Sequence, residues 1–323
     1  MGNTMPLPPD ILLGILSPPK QDYEMFRKSV KEGPNLKVNK SIVMFSSLTS
    51  TESLKQHYEK RRMEAGDCAA DWIKSLAEKL AAFTSAPELA GLGALSVAVL
   101  IDIISSSSPE ESVKEALRSV FAEEKASEVW NLIDECLKRY RMHINDKKEL
   151  VRDIRRIEGQ LSQALTNLKN SIVRDGHVSH QVLKVWVNGA AFHIQVLIHL
   201  VRLEETQNCD SIKSLIKDYS EDVDAVFEKH KEMIKEKFYT CRIQPKPQNY
   251  QMLVDDEGEK YVIVCGCSDR CFEVYYDEKY YKQKREIKKH FSDVEKNLPE
   301  LIRQSGSLDL REGETDESEE MPK

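Results

Sequence analysis

The chain has 323 residues, of which 40% are hydrophobic and 31% charged, with 54 acids against 47 bases for a net charge of −7. That length can bury a substantial core, and the composition is that of a globular protein, not a fibrous or low-complexity one. The acidic balance argues against a nucleic-acid partner, because phosphate binding calls for a basic stripe.

At the N-terminus, Gly2 meets the first requirement of N-myristoylation, but Pro6 stands where that motif prefers Ser or Thr. No basic region leads into an apolar run and a cleavage site, so a cytoplasmic location is expected. The seven cysteines would then be mostly reduced, and their odd number does not suit a complete disulfide framework. Residues 1–48 are broken by six prolines and leave room only for short elements: turns of helix at Asp10–Leu16 and Asp22–Lys31, and an extended piece at Ile42–Phe45. A long helix starts at Thr49, with Glu52 placed for a capping box and a stripe running from Leu54 and Tyr58 through Trp72 to Leu80. Pro87 ends it or follows its end.

Leu89–Ile104 follows as an apolar helix with Ala90, Ala94 and Ala98 on one face. The uncharged run Leu89–Ile101 is shorter than the roughly 20 residues that span a bilayer, so a core helix is expected. Ser108-Pro109-Glu110-Glu111 restarts helix, and elements near Pro109–Glu124 and Ser127–Ile144 lead to a longer one ending at about Arg174. The last keeps a coiled-coil-like three-four alternation through Ile154, Leu161, Leu165 and Ile172, interrupted where Glu158 takes a seam position. Val182–Leu203 is apolar around most of its circumference. Its one narrow polar stripe is Gln181, Lys184, Asn188, Gln195, His199 and Arg202, which places the helix at a bundle centre. A heptad helix after Asp210 completes the bundle.

From Phe238 the texture turns to Tyr, Val, Ile and Phe in runs at 238–243, 250–254, 260–267 and 271–276, separated by turn residues, which predicts a small antiparallel meander packed on the helices. A charged helix at about Glu278–Asn297 and an acidic tail from Gln304, expected to be disordered, end the chain.

Few residues suggest chemistry. Cys265 and Cys267 share a strand face, Cys271 would oppose Cys267 across a hairpin, and Cys241 is the candidate fourth thiolate of a zinc or redox cluster. His193 and His199 have no carboxylate one helical turn away and read as satisfied core or surface histidines. Gly91-Leu92-Gly93 lacks the strand that precedes a dinucleotide loop, and Asp255–Gly258 reads as a hairpin turn, not a calcium loop. No cofactor is expected.

The layout of an apolar helix, then long charged helices, then a short β-rich piece over residues 50–300 resembles the rapunzel-like fish proteins. It is similar, more distantly, to α-helical pore-forming toxins, in which an apolar segment is packed within a helical bundle. The resemblance carries over no functional residue, and Asp102 in the apolar helix departs from it. The expected fold is mainly α: an extended multi-helix bundle with a small β-meander near the C-terminus. Its parts are an N-terminal segment (1–48), the bundle (49–237), the meander with its helix (238–303) and the tail (304–323). The expected function is non-enzymatic, through binding an unidentified protein or itself. The alternatives are conditional membrane insertion of Leu89–Ile104, with an acylated Gly2 assisting, and sensing through Cys241, Cys265, Cys267 and Cys271.

Overall fold

The computed structural model describes residues 26–64, 87–105, 112–121, 128–242, 250–255, 258–264 and 268–304, together with Glu24. The fold is mainly helical. Helices α1 (Lys40–Phe45), α2 (Ser50–Glu64), α3 (Pro87–Ser105), α4 (Val113–Phe121), α5 (Glu128–Met142), α6 (Lys147–Val173), α7 (His180–Leu203) and α8 (Asp210–Lys237) precede strands β1 (Tyr239–Arg242), β2 (Tyr250–Val254) and β3 (Lys260–Val264). Then α9 (Ser268–Tyr276), a π turn (Asp277–Tyr281) and α10 (Lys282–Arg303) follow one another.

Helix α7 is the axis of the bundle. It packs against α3, α4, α5, α6, α8 and α10, because apolar residues on every side leave no face that prefers water. Trp186 at its middle is fully buried, edge-on to Tyr219 of α8 with ring centres 5.9 Å apart. The long helices begin where side chains take up end amides. Asp146 accepts from Glu149 N at 3.1 Å and opens α6; Ser179 accepts from Val182 N at 3.1 Å and opens α7. The run Leu92–Ile101 of α3 is buried throughout, Ala98 completely. Heptad residues Ile154, Leu161, Leu165 and Ile172 are also buried, so the coiled-coil-like pattern of α6 serves the bundle itself.

The meander has strand order β1-β2-β3, both pairs antiparallel, with Tyr239 opposite Val254 and Tyr250 opposite Val264. Between β2 and β3, Gly258 N donates to Asp255 O at 3.1 Å, with Gly258 at φ 80°. Three strands alone are marginal, and this sheet leans on the helices: Phe238 contacts Phe272 and Tyr275 at 4.9 and 5.2 Å between ring centres.

Three expectations need correction. Residues 271–276 are helix, not a fourth strand. Their aromatic content imitates a strand, but Cys271, Phe272, Tyr275 and Tyr276 are buried while Glu273 is exposed, which is a helical period. The final helical run therefore starts at Ser268, not near Glu278. Ile42–Phe45 belongs to a helix, because the Asn39 side-chain Oδ1 caps it by accepting from Ser41 N at 2.8 Å, and a three-residue step buries Ile42 and Phe45. Pro87 opens α3, a position where its missing N–H costs nothing. The expected stripe beyond Glu64, the restart at Ser108–Glu111 and the tail after Gln304 lie outside the described residues.

Candidate functional site

From Asn188 onward the polar stripe of α7 is buried, whereas Gln181 is exposed and Lys184 half-buried. Asn188 is wholly inside: its Oδ1 accepts from Asn39 N at 2.6 Å, and its Nδ2 donates to Lys37 O at 3.3 Å and Lys184 O at 2.9 Å. One side chain thus ties the N-terminal segment to the central helix. Two turns on, Gln195 keeps a buried Nε2 with no hydrogen-bond partner. His199 Nδ1 lies 3.3 Å from both Ser96 Oγ of α3 and Tyr140 Oη of α5. Burial, with the neighbouring Arg202 charge second, holds this imidazole well below the usual histidine range. Arg202 donates through Nε to Leu301 O at 2.8 Å, with Nη2 on the same carbonyl, and so closes the C-terminal end of α10. Burial lowers its guanidinium to about 10.

Gly93 faces this end of the stripe. It breaks α3 with φ 76° and ψ 165°, a conformation nearly confined to glycine. A Cβ there would collide with Arg202 Nη1 and lie 2.6 Å from His199 Nε2. The Gly91–Gly93 pair is therefore a close-packing device between α3 and α7. Nine residues further along α3, Asp102 receives Arg61 Nε and His57 Nε2 on Oδ1, each at 3.1 Å, and Val113 N on Oδ2. The charge inside the apolar helix is held by α2 and α4.

His193 forms the sharpest chemical line. Its Nε2 is 2.9 Å from Glu158 Oε1 and its Nδ1 is 2.7 Å from Tyr219 Oη. A carboxylate only accepts, so Nε2–H donates to Glu158 and the Tyr219 hydroxyl donates to Nδ1. Burial, ahead of nearby acids, keeps the phenol protonated well above its usual range. This carboxylate–imidazole–phenol order resembles a proton relay in its elements. His193 is 1% exposed and Tyr219 6%, the Glu158 side chain is 22% exposed, and the line joins α6, α7 and α8.

A second histidine line joins α7, α8 and α9. Tyr276 Oη donates to Phe227 O at 2.9 Å and so accepts from His230 Nδ1 at 3.0 Å, which leaves His230 Nε2 to accept from His180 Nδ1 at 2.9 Å. Where meander meets bundle, Lys279 Nζ of the π turn donates to Asp255 Oδ2 at 3.1 Å, both side chains fully buried. Tyr275 donates to the same oxygen at 3.0 Å, and Glu259 N reaches Oδ1 at 2.8 Å.

The sites expected from sequence fare differently. Gly2, Cys265 and Cys267 lie outside the described residues. Cys241 stands on β1 opposite Met252. Cys271 is buried on the first turns of α9, so the expected hairpin facing Cys267 does not form. Among the described residues no group of three or more His, Cys, Asp or Glu side chains is placed to hold a metal. Sequence reasoning missed Glu158 as the partner of His193, although its intrusion into an apolar seam was the available signal. Asp255 and Lys279 gave none. Comparisons with protein-family models, curated proteins and solved structures found no match.

Proposed function

We propose that the chain is a non-enzymatic cytoplasmic protein that works by binding another protein or itself. The observation that carries this reading is the outer side of α1 and the turn after it. Ile42 and Phe45 point into the core, whereas Val43, Met44 and Leu48 are 42%, 41% and 44% exposed. They are three of the seven large apolar side chains exposed among the described residues, and they fall within six consecutive positions. Scattered apolar residues are ordinary on a surface, but clustered ones mark contact sites. The buried His193 and His230, by contrast, have both ring nitrogens engaged in bonds between helices, and His199 has its Nδ1 so engaged.

The test is a Val43→Glu/Met44→Glu variant of the full chain. It should melt as the wild type does and lose concentration-dependent association in sedimentation velocity, or lose specific proteins that the wild type retains from cells. A wild type that stays monomeric and retains nothing the variant does not would end this reading.

Conditional insertion of Leu89–Ile104 is the second reading, supported by the uninterrupted apolar face of α3. It ranks behind because no helix of the described residues is long and apolar enough to cross a membrane, and insertion would have to strip Asp102 of three hydrogen bonds. Dye release from vesicles tests it directly.

A further inference from the structure

The solvent side of α10 carries a line of cations flanked by the exposed acids Glu286, Asp293, Glu295 and Glu300, the last paired with Arg303. At about 100° per residue, Tyr281, Arg285, Lys289, Ser292 and Lys296 fall in one line, all exposed, opposite the buried line of Ile287, Val294, Leu298 and Leu301. Neighbouring Lys284 and Lys288 are taken up by Asp224 at 2.9 and 2.6 Å, and Lys282 by Glu278. Arg285, Lys289 and Lys296 enter no ion pair with the described residues. Tyr281 heads the line, 40% exposed, with Lys284 Nζ and the Arg285 guanidinium 5.5 and 5.4 Å from its ring centre. Glu286, Asp293 and Glu295 stand off on the flanks, the first held by Lys37 at 2.8 Å. In a chain of net charge −7, three unneutralised cations in a row behind an exposed aromatic concentrate local positive charge against the overall balance.

We infer that this ridge docks α10 flat on an anionic lipid surface. Arg285, Lys289 and Lys296 meet headgroup phosphates, and Tyr281 lies at headgroup level, where a ring with one apolar and one wet end is at home. The ridge is about 22 Å long at 1.5 Å per residue, which suits a plane. A plane touches the ridge alone, whereas a nucleic-acid groove or an acidic protein cleft wraps the helix and brings its own negative groups against Glu286, Asp293 and Glu295. The docking needs no helix to leave the core, so it stands independently of insertion by α3 and of the Val43–Leu48 surface.

Flotation of the full chain with phosphatidylcholine vesicles, with and without about a third phosphatidylserine, tests the inference. Binding is expected only to the anionic vesicles, falling at least about tenfold between about 0.05 and 0.5 M salt as screening tightens. Each basic residue at such a surface is worth about fivefold, so Arg285→Glu/Lys289→Glu should bind at least about 25-fold more weakly while Arg285→Lys binds as the wild type. Thermal melts verify that the exposed substitutions leave the fold intact. Equal binding to both vesicle types, unchanged binding by the double variant, or binding to duplex DNA or an acidic peptide with vesicles ignored would each overturn it.

Discussion

At the scale of single residues, the interior is notable for polar groups that join segments far apart in sequence. Lys279 and Asp255 are the most demanding pair, since both charges are fully removed from water and held against each other, with hydrogen bonds from Tyr275 and Glu259 N to the carboxylate. Lys279→Met should therefore cost about 3–5 kcal/mol in urea unfolding, because Asp255 is left buried with its cation gone. A cost below about 1 kcal/mol would show that water reaches the carboxylate. His199 makes a pH prediction. Its folded-state value is depressed by burial, while the unfolded chain takes up a proton near about 6.5, so the folded state binds fewer protons. The stability it contributes is complete above that pH and is lost progressively as the pH falls below it. Wild-type stability should decline more steeply between pH 7 and 5 than that of His199→Gln, by up to about 1.4 kcal/mol per pH unit. Parallel profiles would remove His199 as the cause. Spacing along α7 made Asn188, Gln195, His199 and Arg202 legible as one stripe. What they reach was not legible, because the contacts of Asn188 and Arg202 lie 149 and 99 residues away and no local pattern encodes such distances.

Among elements, α3 shows how an apolar helix is kept in place. Gly91 and Gly93 let α7 approach, and Ala98, one turn before Asp102, has no exposed surface. Ala98→Leu should overpack its buried position and destabilise the protein by about 1–3 kcal/mol; a variant that melts like the wild type and binds vesicles more tightly would favour the insertion reading. Gly93→Ala should cost about 1–3 kcal/mol from backbone conformation alone, with the Arg202 and His199 collisions added. Helices whose hydrophobic period persists for many turns, α6, α7 and α8 above all, were legible in the sequence to within a few residues. The segment 271–276 was not, because six residues rich in Tyr, Phe and Val satisfy strand composition and helix period at once, and the neighbouring helix decides between them.

For the whole molecule, the C-terminal part leans on the rest of the chain. Its Tyr276 Oη donates to Phe227 O of α8 at 2.9 Å, and its Tyr261 packs edge-on to Phe26 with ring centres 5.8 Å apart. A fragment of residues 238–303 should accordingly lack dispersed amide signals in NMR and regain them only when the bundle is supplied; a folded fragment would make it an independent domain. The π turn at Asp277–Tyr281 has a different consequence. An i→i+5 turn accommodates one residue more than an α-turn of the same rod. The chain there has length to spare: losing the exposed Asp277, though not the buried Lys279 or Tyr280, can be absorbed by a plain α-turn that leaves α10 facing as it does. The same loss within α10 would rotate everything beyond it by about 100° and turn its outward residues toward the core. The rod from Ser268 to Arg303 therefore tolerates a change of length at one place and not along the rest of it, the pattern an ancestral insertion would leave behind.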